Sequence, residues 1–100
     1  MADSNTTINN KQVVELKNWC FNDYFRTLFG EAYGHHKFED GTYVMTSRIR
    51  NAQQDLTGGC FTVETRNTIY ICLFKDVHKD FSIYSVSELW KKLEDIVNHN

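Results

Sequence analysis

Three segments of β-type sequence, residues 43–50, 60–65 and 68–74, follow one another with turn residues between them, and they limit the fold more than anything else in the chain. Tyr43, Met45, Ser47 and Ile49 alternate with Val44, Thr46, Arg48 and Arg50, the period of a strand with at least one polar face. Residues 60–65 and 68–74 are rich in β-branched and aromatic side chains, and Arg66-Asn67 between them has the spacing of a two-residue hairpin turn. Asp40-Gly41 and Gly58-Gly59 punctuate the connections. Residues 81–84 add a short fourth strand.

Helical periodicity flanks this β region. At the C-terminus Ser85 and Glu88 have capping-box spacing, and Val86, Leu89, Trp90, Leu93, Ile96 and Val97 recur on one face opposite Lys91, Lys92, Glu94 and Asp95. Over residues 10–29, Val13, Leu16, Cys20 and Tyr24 fall on one side, Phe21, Phe25, Leu28 and Phe29 widen the stripe, and Gly30 supplies a stop. The expected fold is α+β: a small antiparallel meander of three to four strands flanked by an N-terminal and a C-terminal helix. Residues 1–9 read as a flexible tail and 10–100 as a single domain. The apolar arc of residues 10–29 is broader than one sheet face requires, so this helix is either sandwiched or turned partly toward another subunit.

Charge and cysteine usage narrow the function classes. The net charge is −2 with acids and bases interspersed, which argues against general nucleic-acid binding, where a basic excess neutralises phosphates. Cys20, Cys60 and Cys72 are an odd count among apolar neighbours and read as buried free thiols in a reducing cytoplasm. There is no apolar run long enough for a membrane span and no cleavable leader pattern, and without a leader Asn5-Thr6-Thr7 carries no weight as a glycosylation acceptor.

The chemistry-bearing residues concentrate in two places. His35 and His36 adjoin in a turn-rich loop, but no further ligands stand at metal-site spacing, so no metal or other cofactor is expected. Ser47 or Cys60 beside His36 would be the nearest approach to a nucleophile and base. With no nucleophile motif and no carboxylate pair at acid–base spacing, the chain does not read as an enzyme. Thr46, Ser47 and Arg48, with Arg66, Asn67 and Thr68, form a different set. Hydroxyls, an amide and guanidinium forks suit phosphate and ribose recognition, and Tyr43, Tyr70 or Phe38 offers a ring for a base. The same residue types also populate ordinary solvated strand faces, and Asp40-Gly41 and Arg66-Asn67 serve equally as plain turns.

The two-part pattern running from Gly34-His35 through Asp40-Gly41-Thr42 to Thr46-Ser47 and Ile49, followed by Thr65-Arg66-Asn67-Thr68 and Tyr70, resembles one found in small phage and prophage proteins. Among these it is similar to the Thoeris anti-defence sponges, which sequester cyclic ADP-ribose signals as oligomers. The likeness covers residues 34–50 and 64–73, and His36 stands where such sequences more often carry proline. The resemblance implies a viral protein of the host cytoplasm that binds a nucleotide-derived immune signal without turnover. Thr46, Ser47, Arg48, Arg66, Asn67, Thr68 and Tyr70 would then line the pocket, with Arg48 and Arg66 on phosphates. It also implies a homo-oligomer. A second class of function is an inhibitor of a host defence complex acting by protein–protein contact, in the manner of anti-CRISPR proteins. Its surface would be Trp19, Phe21, Phe25 and Phe29, or the loop carrying His35 and His36. A structural protein of a phage particle is a third.

Overall fold

A computed structural model describes residues 7, 8 and 10–99. The elements are β1 (Thr7–Ile8), β2 (Lys11–Asn22), β3 (Thr27–Tyr33), β4 (Thr42–Arg48), β5 (Asn51–Asp55), β6 (Cys60–Glu64), β7 (Thr68–Leu73) and the C-terminal helix α1 (Val86–Asn98). Six strands lie in the order β4-β3-β2-β7-β6-β5, and β1 pairs with the start of β2. All neighbours are antiparallel except β2 and β7, which run parallel with Val14 opposite Tyr70. Of the expected tail, residues 1–6 and 9 lie outside the described residues.

The expected antiparallel meander of three to four strands between two helices is therefore wrong: the sheet has seven strands, it is mixed, and the chain's one α-helix among the described residues is C-terminal. Residues 10–29 form a long strand, a hairpin tip and the start of a second strand. A β-bulge accounts for the misleading periodicity. Lys17 pairs with Glu31 but Cys20 pairs with Phe29, so β2 spends one residue more than β3 across this step. Asn18 occupies the extra position at φ 50°, a left-handed conformation that asparagine tolerates better than most residues. Val14 and Leu16 face the core on one side of the bulge, Trp19 and Phe21 on the other. The resulting three-residue step from Leu16 to Trp19 imitates a helical repeat, although each half alternates as a strand should. Val13, Cys20 and Phe29 point to the opposite sheet face, which is why the apolar arc looked too wide for a helix.

Two further expectations change. Asn51–Asp55, which falls in the expected connection leading to Gly58-Gly59, is the edge strand β5. Residues 81–84 form no strand; two short 3-10 turns, Phe74–Asp76 and Lys79–Phe81, carry the chain from β7 to α1. The C-terminal helix and the hairpin at Arg66-Asn67 stand where the sequence puts them, with the Thr65 amide donating to the Thr68 carbonyl at 2.9 Å.

The sheet is rolled. β4 and β5 occupy opposite edges, yet only Ile49 and Arg50 separate them in sequence. Two extended residues span about 7 Å, so the edges must converge there. The Ile49 amide donates to the Arg26 carbonyl at 2.8 Å and the Arg50 amide to the Glu64 carbonyl at 2.8 Å, which joins the two edges. Ile49, fully buried, is the corner. The rolled sheet has two ends. β2 and β7 both begin at one, near Gln12 and Thr68. Toward the other they lead to the hairpin tip after Asn22 and to the turns before α1.

α1 covers that second end and buries Leu89, Leu93 and Ile96. The Trp90 ring stacks on Phe61 at 5.8 Å, and Phe61 meets Trp19 edge-on at 5.9 Å. Trp19 is the keystone, its indole Nε1–H donating to the Leu73 carbonyl at 2.7 Å while its own carbonyl accepts from the His78 amide at 2.8 Å. The first end of the roll is left without a helix.

Candidate functional site

A groove of about 250 Å³ opens at that uncovered end. Its walls come from four parts of the chain. β4 contributes Val44, Met45, Thr46 and Ser47; the β6–β7 hairpin contributes Thr65, Asn67, Thr68 and Tyr70. Gln12 at the start of β2, and His35, Lys37 and Phe38 from the β3–β4 loop, complete it. The two segments singled out in the sequence, separated by β5 and β6, thus meet across one concavity. The mouth of a rolled sheet is a common place for a small-molecule site, because the strands hold the side chains rigidly.

The expected site residues divide into three groups. Ser47 and Asn67 line the groove and are exposed, so their hydroxyl and amide face solvent. Thr46, Thr68 and Tyr70 line it from below and are buried. The Thr46 Oγ1 accepts from the Leu28 amide at 2.9 Å and donates to the Ser47 carbonyl at 2.7 Å. Those bonds serve a second bulge, where Thr27 pairs with Arg48 but Phe29 pairs with Met45, so Thr46 acts as a structural hydroxyl. Burial pushes the Tyr70 hydroxyl above its usual range, with a hydrogen bond from Thr68 opposing the shift. Arg48 and Arg66 do not line the groove; they stand beside it, next to Ser47 and Asn67. The cation in the wall is Lys37.

Of the expected contact residues, Trp19 and Phe21 are core residues and unavailable to a partner. Phe29 is half-buried on the outer sheet face, Phe25 is exposed at the β2–β3 hairpin tip, and His36 is exposed in the loop. Cys60 is buried in β6, outside the groove.

Gln12 is the residue that sequence reasoning missed. Its Oε1 accepts from the His36 amide at 2.9 Å and its Nε2 donates to the Thr68 hydroxyl at 3.0 Å, so one side chain ties the loop to β7. The loop is further held by Asp40, whose carboxylate accepts from the Gly34 amide at 2.9 Å, with Gly34 and Gly41 at positive φ at its two ends. Burial lowers the His35 pKa, and neighbouring His36 and Lys37 lower it further. Its Nδ1 accepts from the Lys37 amide at 3.0 Å, which leaves the ring proton on Nε2. That Nε2–H meets the Gln12 amide nitrogen at 3.3 Å, donor against donor, so it remains available to an acceptor in the groove. The His35 ring lies 4.7 Å from Phe38, forming an aromatic rim. In the sequence Gln12 fell within the expected N-terminal helix, and nothing local distinguishes it from a surface residue.

Lys11 stands beside the groove but is already engaged, pairing with Glu64 at 2.6 Å and donating to the Thr65 carbonyl at 2.9 Å. Two of the other concavities offer fewer of these groups. One of about 230 Å³, between the hairpin tip and α1, is bounded by Asp23, Arg26, Lys92, Asp95 and His99 and has no Phe, Tyr or Trp wall. Another of about 310 Å³ lies on the outer face of β5–β7, among Ile8, Ile69, Ile71 and Gln53, with Glu64 its one charged lining residue. Among the described residues no group of His, Cys, Asp and Glu side chains is arranged to hold a metal ion, and no helix is long and apolar enough to cross a membrane. No protein-family model, curated protein or solved structure matches the chain.

Proposed function

We propose that this protein binds a small nucleotide-derived ligand in the groove and holds it without chemical turnover. The observation that carries this reading is the convergence of Ser47 and Asn67, on separate strand pairs, with Lys37 and the Phe38 ring around one opening. A hydroxyl and an amide suit ribose hydroxyls, an ammonium suits one phosphate, and an aromatic rim suits a base. The groove's charge balance also favours a ligand of low anionic charge, since Lys37 is its one formal cation. The resemblance to anti-defence sponges supplies the setting: a phage-type protein in the host cytoplasm that removes an immune signal by sequestering it.

The test is thermal unfolding against a panel of cyclic dinucleotides, cyclic trinucleotides and ADP-ribose isomers. A ligand at a hundred times its dissociation constant stabilises by about 2.7 kcal/mol, which moves the midpoint of a domain this size by about 10 °C or more. Lys37→Ala and Asn67→Ala should abolish the shift while leaving the unliganded midpoint near wild type. A flat panel refutes the reading.

One observation favours a second reading, an inhibitor acting by protein contact. At the β2–β3 hairpin tip Tyr24 and Phe25 are 86% and 56% exposed, with their rings in edge contact at 5.1 Å. Exposed paired aromatics are typical interface anchors. Co-purification with a host complex, lost in a Tyr24→Ala/Phe25→Ala variant, would transfer the assignment to that surface.

A further inference from the structure

Gln12 and His35, both in the wall of the groove, leave two hydrogen-bond donors without an acceptor. The Nδ1 of His35 accepts from the Lys37 amide at 3.0 Å, so the ring proton sits on Nε2. Gln12 is fixed in the same way. Its Oε1 accepts from the His36 amide at 2.9 Å, and one proton of its Nε2 goes to the Thr68 hydroxyl at 3.0 Å. The other Gln12 proton and the His35 Nε2–H are left facing each other, their nitrogens 3.3 Å apart. No rearrangement within the chain removes this conflict. Turning the Gln12 amide over would set its Nε2 against the His36 amide, and moving the ring proton to Nδ1 would set it against the Lys37 amide. Among the described residues no acceptor stands between the two donors. A partly desolvated donor without a partner costs free energy, and a single oxygen accepting from both nitrogens removes that cost.

We infer that Gln12 and His35 together hold one phosphoryl oxygen of the ligand. An oxygen at the ordinary distance of about 2.9 Å from each nitrogen fits between them. The charge around the pair selects an anionic oxygen over a neutral carbonyl. Lys37 lines the groove and no Asp or Glu does. Of the carboxylates nearby, Glu64 is paired with Lys11 and Asp40 is turned to the Gly34 amide. Burial lowers the His35 pKa most, followed by His36 and Lys37. The positive charges that disfavour a second proton on the ring favour an anion beside it. Hydrogen bonds to a charged acceptor are also the stronger kind. Lys37 thus supplies charge to the phosphate, while Gln12 and His35 supply direction. The assignment rests on the groove being the ligand site proposed above.

Isotope-edited NMR of the full chain, titrated with inorganic phosphate, adenosine monophosphate and adenosine, tests it. Phosphate and the monophosphate should move the Gln12 side-chain amide and the His35 Nε2 signals saturably, and adenosine should not. Gln12→Glu is the decisive variant. Its carboxylate accepts from both the His36 amide and the His35 Nε2–H, so it closes the donor pair from within. It should melt above Gln12→Ala yet bind phosphate more weakly than Gln12→Ala does, an inversion that loss of folding cannot produce. Its affinity should fall about a hundredfold from wild type, the worth of two bonds to a charged acceptor. His35→Phe, which keeps a ring against Phe38 but no donor, should lose about tenfold. Signals of the pair that stay still with phosphate and the monophosphate, or wild-type affinity in Gln12→Glu, overturn the inference. Nucleotides that move Ser47 and Asn67 but not the pair overturn it while leaving the groove as the ligand site. Phosphate that moves the pair while no nucleotide stabilises the protein supports the donor pair and refutes the nucleotide reading instead.

Discussion

Gln12→Ala is the substitution that most sharply connects fold to site. The side chain makes two sound hydrogen bonds, from the His36 amide at 2.9 Å and to the Thr68 hydroxyl at 3.0 Å, and its approach to His35 adds no third, being donor to donor. Each neutral bond in a half-buried setting contributes about 1 kcal/mol net, so truncation should cost roughly 2 kcal/mol. For a domain of this length that lowers the thermal midpoint by about 8–16 °C. The loss should also be local: the His36 amide, deprived of its acceptor, should exchange with solvent far faster, while core amides such as that of Val14 slow or quicken only with global stability. Gln12→Glu provides the contrast. A carboxylate still accepts from the His36 amide and can also accept the His35 Nε2–H, so it should cost less than alanine and raise the His35 pKa. Urea unfolding with amide exchange measures both. If Gln12→Ala loses less than about 0.5 kcal/mol and leaves His36 protected, Gln12 does not hold the loop.

Gly30→Ala should destabilise by about 1–3 kcal/mol, because a Cβ there would lie 2.7 Å from the Leu16 Cγ and 2.9 Å from the Lys17 carbonyl oxygen; in an open strand the same change would be neutral or favourable, and denaturant titration distinguishes the two. Ser85→Ala should cost about 1 kcal/mol by removing the hydroxyl that accepts from the Glu88 amide at 3.1 Å. The backbone and side-chain hydrogen bonds to Ser85 lower the Glu88 pKa below its ordinary 4.5. This stabilisation is present above pH 4.5 and is lost as pH falls through the depressed value, so Glu88→Gln should lessen the decline of the melting temperature in acid. Burial raises the pKa of Cys72 and of Cys20, whose shift Asp80 reinforces. A thiol reagent at neutral pH should therefore label Cys20 slowly and Cys72 only after unfolding.

Local chemistry determined several elements from sequence alone. The Ser85–Glu88 capping box and the spacing of Leu89, Leu93 and Ile96 specify α1, because both signals act within a few residues. The hairpin at Arg66-Asn67 and the alternation of residues 43–48 are likewise short-range. The sequence also showed that residues 34–50 and 64–73 hold the polar functional groups. Tertiary structure decided everything that depends on distant partners. Whether residues 10–29 are helix or strand turns on Trp19 finding Phe61 and Leu73, and on a bulge at Asn18 whose three-residue step imitates a helix. The polar run Asn51–Asp55 becomes a strand because β6 offers it a ladder, a choice that side-chain periodicity does not encode. Only closure of the sheet at Ile49–Arg50 brings Ser47 within reach of Asn67 and makes Gln12, rather than either arginine, the residue that organises the groove. Hydrophobic period and capping are properties of neighbours along the chain, whereas register, bulges and closure are set by which strands meet, and that is decided by the packed core as a whole.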